Sequence, residues 1–134
     1  MRVRELRVRT ERRTQLVEIT REVEGALDEL DGVSAALVFV PHTTAGLTIN
    51  EHADPAVARD IEAALERIVG EGWAWEHIEA EEENAPSHIR AGLMGQQVVV
   101  PVREGRLALG TWQGIFFCEF DGPRERSVYV TVLR

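Results

Sequence analysis

Three of the chain's four histidines, His42, His77 and His88, lie in polar segments carrying turn or helix signals, in Pro41-His42-Thr43-Thr44, Glu76-His77-Ile78-Glu79 and Asn84-Ala85-Pro86-Ser87-His88. The fourth, His52, lies in Asn50-Glu51-His52-Ala53-Asp54-Pro55. Neutral imidazole is the commonest protein metal ligand and the side chain best placed to move protons near neutral pH. Three imidazoles brought together by the fold would hold a cation with one coordination position open, the arrangement of catalytic rather than structural zinc.

The stretch from His42 to Pro55 adds hydroxyls, an amide and two carboxylates to its two imidazoles. Asp54 is fully explained as the cap of a helix that starts at Pro55. Asn84 and His88 are four residues apart, so on a helix they share a face and present an amide and an imidazole together. Ser87 then points elsewhere, and no Gly-x-Ser-x-Gly is present, which argues against a serine nucleophile. There is no lysine in the chain, which excludes a P-loop lysine, a Schiff base and a Ser-Lys dyad. Any anion must therefore meet arginine, histidine, backbone amides or a metal. Arg124 and Arg126 follow a turn, and the planar guanidinium fork suits phosphate oxygens; solvent exposure explains them equally well. Trp112 sits between Gly110 and Gly114 and serves either core packing or stacking on a planar ligand.

These groups need a scaffold, and 134 residues are enough for one domain that buries roughly two-thirds of its unfolded surface. The net charge of −8 opposes non-specific nucleic-acid binding, which depends on neutralising phosphates. The arginines from Arg2 to Arg13 fit the wet face of a strand. No apolar run is long enough to span a bilayer, and the start of the chain lacks a signal-like apolar segment, so a cytoplasmic protein without a membrane partner is expected. The single cysteine, Cys118, forbids an internal disulfide. Alternation places it on one strand face with Phe116 and Phe120, as core.

Apolar periodicity predicts the elements. Strands are expected around Val3–Val8, Thr14–Ile19, Ser34–Val40, Leu47–Ile49, Gln97–Val102, Leu107–Thr111, Gly114–Phe120 and Ser127–Leu133. One helix is expected to be capped by Thr20, with Val23, Ala26, Leu27 and Leu30 on its apolar face, and to end at Asp31-Gly32. A second starts at Asp54-Pro55 and is lined by Val57, Ile61, Leu65 and Ile68. A short third runs from Ala85 to Leu93, with Asn84 as its cap. The stretch from Trp73 to Asn84 is acidic and irregular. Strands flanking two or three helices, with hairpins toward the end, predict a single α+β domain over residues 1–134 with an antiparallel β-sandwich-like core.

Taken together the segments resemble the YjbQ-like family of secondary thiamine-phosphate synthases. The matching residues are His42-Thr43-Thr44-Ala45, Asn50-Glu51, Asp54-Pro55, His77, Asn84, His88, Gly95, Gly105-Arg106-Leu107, Leu109-Gly110-Thr111-Trp112-Gln113, Asp121-Gly122-Pro123-Arg124 and Arg126. The order covers the chain from about Thr20 onward. The resemblance implies a homotrimer and a metal-capable cluster carried onto His42, His77 and His88, with His52 left out. It further implies the joining of a hydroxymethylpyrimidine diphosphate to a thiazole phosphate, with release of pyrophosphate. On that reading Glu51, with His42, does the acid–base work. Asn50, Asn84 and Gln113 orient a small phosphorylated substrate, and Arg124 meets its phosphate. Histidine ligands favour zinc over magnesium, which prefers oxygen. A metal-dependent hydrolase of a small phosphate ester or amide, and a non-enzymatic metal-binding or scaffolding trimer, are the competing expectations.

Overall fold

Strand β7 (Gln113–Glu119) is buried on both faces, and the architecture follows from that. The computed structural model describes residues 2–76 and 84–134. The other strands are β1 (Arg4–Arg9), β2 (Gln15–Glu18), β3 (Ala35–Phe39), β4 (Ala45–Glu51), β5 (Gln97–Arg103), β6 (Arg106–Leu107) and β8 (Glu125–Leu133). The helices are α1 (Thr20–Ala26), α2 (Pro55–Ile68) and α3 (Ala85–Met94). Every strand pair is antiparallel. A five-stranded sheet runs β1-β8-β3-β5-β6, and a three-stranded sheet runs β2-β7-β4. The expected α+β class and sandwich-like core are what forms.

Because side chains alternate along a strand, β7 sends Ile115 and Phe117 one way and Phe116 and Cys118 the other. The first pair joins Val38, Val40, Val128, Val130 and Val100 of the large sheet, with Leu47 of β4 and Val23 of α1, in the core between the sheets. The second pair packs with Phe120, Leu16, Leu65 of α2 and Ala91 of α3. Each such side chain, fully buried, contributes about 1.5–3 kcal/mol from removal of apolar area from water. The molecule is thus three layers deep: α2 and α3, the small sheet, then the large sheet.

Local chemistry sets several boundaries. Asp54 caps α2 as expected, its carboxylate accepting from the amide of Ala56 at 2.9 Å. Thr20 does not cap α1; it lies within the helix, where its hydroxyl accepts from the Ile115 amide and donates to Glu18. The helix ends at Ala26, before Leu27 and Leu30, because Leu27 turns extended. The strand expected over Leu107–Thr111 shrinks to the two residues of β6. Its hairpin with β5 turns through Glu104 and Gly105, both at positive φ, the backbone that two-residue hairpins require. Gly46 admits α3 against β4: a side chain there would meet the Gly95 carbonyl at 2.5 Å. Glu62 of α2, itself buried, accepts from the Leu16 amide and so satisfies the outer edge of β2.

Candidate functional site

A cleft of about 830 Å³ opens where the β3–β4 connection, the start of α3 and the β7–β8 turn meet. Its walls include His42, Thr43 and Thr44 from the first, Asn84 and His88 from the second, and Asp121, Arg124 and Arg126 from the third. Four expected site residues, His42, Asn84, His88 and Arg124, are brought together here from three remote stretches of chain.

The floor is an ion pair set by strand parity. Arg126 shares the inward face of β8 with Val128 and Val130, and Glu119 shares the inward face of β7 with Ile115 and Phe117. Both are buried, at 3% and 0% exposure. Two charges without water must pair, and Arg126 Nε donates to Glu119 Oε1 at 2.9 Å, with a further contact from Nη2 to Oε2. The carboxylate also accepts from the Thr10 hydroxyl and from the amides of Phe120 and Asp121. Burial pushes the Glu119 pKa up, but the bonds from Arg126 and Thr10 outweigh it and hold the group below the usual carboxylate range. Arg126 Nη2 continues to the Thr44 hydroxyl at 2.9 Å, tying the β3–β4 connection to the floor.

His42 has its tautomer fixed by the backbone. The Ser127 amide, which can only donate, points at His42 Nε2 from 2.9 Å. A neutral imidazole has one lone pair, so Nε2 accepts and Nδ1 carries the hydrogen. Burial, then the charge of Arg126, lowers the pKa of this ring and keeps it neutral. His42 is thus a hydrogen-bond donor at the cleft wall.

Asp121 forms the rim. It accepts from Asn84 Nδ2 at 3.0 Å, Arg124 Nη2 at 2.9 Å and Arg13 Nη1 at 3.4 Å. Arg13 also reaches Glu71, which meets Arg90. Arg90 is fully buried and donates to the carbonyls of Leu65 and Val69 at the end of α2. A line of alternating charges therefore connects the rim to the helix layer.

The remaining expected residues lie elsewhere. Glu51 and Asn50 end β4, whereas Thr44 precedes its start, so about 20 Å of extended strand separates them from the cleft. Gln113 is opposite Glu51 across the β4–β7 ladder and accepts from the Gly110 amide through its own side chain. The proposed partnership of Glu51, Asn50 and Gln113 with His42 is thus not formed within the chain. Trp112 is at the same far end and 63% exposed, so it neither fills the core nor walls the cleft. His52 binds Glu18 there at 2.6 Å, which raises its pKa. Glu119 and Asp121 were not expected as site residues, and Arg126 was left between an anion-binding role and solvent exposure; its parity with Val128 and Val130 was the available signal for burial.

Of the expected three-histidine metal centre, His42 and His88 line the same cleft. The one lone pair of His42 is engaged by Ser127, and a ligand role would break that bond. Among the described residues no group of three or more histidine, cysteine, aspartate or glutamate side chains is placed to hold a metal ion. His77 lies outside the described residues.

Comparisons with known proteins find relatives and solved structures that match nearly the whole chain. YugU of Bacillus subtilis, a UPF0047 protein, is 45% identical over 131 residues, covering 96% of both chains. The UPF0047 protein MJ1081 of Methanocaldococcus jannaschii is 43% identical, covering 94% of this chain and 90% of its own. The crystal structure of a YjbQ/UPF0047 family protein from Clostridium acetobutylicum superposes with a TM-score of 0.85 at 42% identity, over 96% of this chain and 98% of its own. A YbjQ-like protein of unknown function from Sulfolobus solfataricus gives 0.86 at 34% identity, over 98% and 95%.

These relatives overturn the activity that the sequence resemblance implied. They bear UPF0047 or YjbQ names, and the Sulfolobus protein is described as of unknown function; thiamine-phosphate synthesis appears in none of these names. On these names the synthase reading is withdrawn. The family itself stands: a family model described as UPF0047 protein YjbQ-like matches residues 4–134, and the chain belongs to that family.

Proposed function

We propose that the cleft binds a small phosphorylated molecule. The observation that carries this reading is the convergence on one opening of two guanidinium groups, Arg124 and Arg126, with the Nδ1 donor of His42 and the hydroxyls of Thr43 and Thr44. Glu119 pairs with Arg126, and Asp121 with both Arg124 and Arg13, so the cleft recognises an anion through directed donors rather than through raw positive charge. The cleft also lies at the start of the ten-residue α3, whose dipole favours negative charge.

Isothermal titration with inorganic phosphate and simple phosphate monoesters tests the reading. Arg124 is half-exposed and its loss leaves the buried pair intact, so Arg124→Ala should weaken binding by about tenfold, the effect of one charge-assisted hydrogen bond. No binding to the wild-type protein by any of these anions would overturn it.

The assembly implied by the family resemblance belongs to the same proposal. Phe39, Val99, Tyr129 and Leu133 stand exposed on the outer face of the large sheet, and Phe39 also borders the cleft. Such a face supports self-association as a homotrimer. Light scattering should return three times the chain mass of 15.0 kDa, and a monomer mass would refute it. No helix among the described residues is long and apolar enough to cross a membrane. The buried free thiol of Cys118 suits the cytoplasm, where we place the protein.

A further inference from the structure

One atom in the cleft wall lacks what every buried polar group needs. Asn84 is 7% exposed, and its Oδ1, shut off from bulk water, has no hydrogen-bond partner. The amide cannot be reversed to cure this. Its Nδ2 faces a carboxylate oxygen of Asp121 at 3.0 Å, and turning the amide over would set two acceptor oxygens against each other. Nor does Asn84 use its oxygen as a helix cap, although it occupies the cap position of α3. The side chain is held by Asp121, which is fixed in turn by Arg124 and Arg13. The acceptor is therefore kept in place without a donor.

Keeping an acceptor unpaired in a protein interior is costly, and a ligand that supplies the donor recovers that cost. From the residues of the cleft we infer that its ligand is a phosphate ester that also carries a hydroxyl or amino group, whose hydrogen is donated to Asn84 Oδ1. The two ends of such a molecule match the two sides of the cleft. Arg124, Arg126 and His42 offer only donors, which suit phosphate oxygens, while Asn84 offers an acceptor. Asn84 lines the cleft, the side from which a ligand would approach. The inference rests on the phosphate reading above and adds to it the second functional group.

Three probes that differ only in that group separate the two ideas: ethyl phosphate, hydroxyethyl phosphate and aminoethyl phosphate, titrated calorimetrically into the full chain. At least one donor-bearing probe should bind about tenfold more tightly than ethyl phosphate. In Asn84→Leu that ratio should fall to about one, whatever happens to the absolute affinities. The wild-type comparison needs no variant and stands even if Asn84→Leu fails to fold. Equal binding of all three probes would overturn the inference and leave the phosphate reading intact, as would a preference that survives in Asn84→Leu. Absence of binding by every probe would overturn both.

Discussion

The two ends of strand β4 carry similar side chains in different surroundings. At its start, His42, Thr43 and Thr44 meet Arg126, Glu119, Arg124 and Asp121 around a cleft. At its end, Asn50, Glu51 and His52 meet Glu18, Gln113 and Trp112 on the open surface. Both ends hold an imidazole, carboxylates and an amide, so residue type alone does not distinguish them. Burial does. At the cleft end Arg126 and Glu119 are stripped of water and must be matched bond for bond, which fixes their orientation. At the far end solvent screens each group, and a pair such as His52–Glu18 is held loosely enough to matter little.

The sharpest way to break this contrast is to remove one partner of the buried pair. Arg126→Met leaves Glu119 charged and unmatched, and should cost about 3–5 kcal/mol in urea denaturation. The double variant Glu119→Leu/Arg126→Met should recover part of that, because neither charge remains; a double variant less stable than the single one would show that the pair does more than cancel itself. Second in size is ligand affinity, where Arg124→Ala should lose about tenfold while Glu51→Gln, at the other end of the strand, keeps the wild-type value. Equal losses would place both ends in one site, which within a single chain the strand length forbids.

Metal content offers a third contrast. Since the lone pair of His42 is engaged by the Ser127 amide, His42→Ala should leave the metal content of the purified protein unchanged by elemental analysis. A sharp fall would mean that the ring releases Ser127 to bind a cation.

The smallest effect is in the pH dependence, where the two histidines should differ in sign. The native pKa of His42 lies below its ordinary value of 6.5, so between the two values the unfolded chain holds more protons. Stability is then lost as pH falls from 6.5 toward the native value. The native pKa of His52 lies above 6.5, so the contribution of its pair with Glu18 is complete below that pH and fades as pH rises through the native value. Relative to His42→Gln the wild type should weaken on the acid side, and relative to His52→Gln on the alkaline side. The same sign for both would contradict the different surroundings of the two rings.

Much of the scaffold was legible because its signals are local. Alternation along Gly114–Phe120 placed Phe116, Cys118 and Phe120 on one face as core, and all three are buried together. Asp54-Pro55 marked a helix start, and Asp54 caps it. Thr20 misled because a hydroxyl before an amphipathic stretch looks like a cap, whereas the Ile115 amide, ninety-five residues away, claims it first. Glu51 misled for the same reason in reverse: it is near His42 in the chain, but an extended strand carries it away by about 3.3 Å per residue.

Sequence by itself settled the strand and helix pattern, the core parity, the absence of lysine and the family resemblance, since each depends on residues a few positions apart or on composition. Tertiary structure alone decided which of the polar groups share a cleft, which nitrogen of His42 holds its hydrogen and which acceptor of Asn84 is left without a donor. Those outcomes are set by strand register and sheet packing between segments 37 to 85 residues apart, and by which groups water can no longer reach. No run of neighbouring residues encodes either.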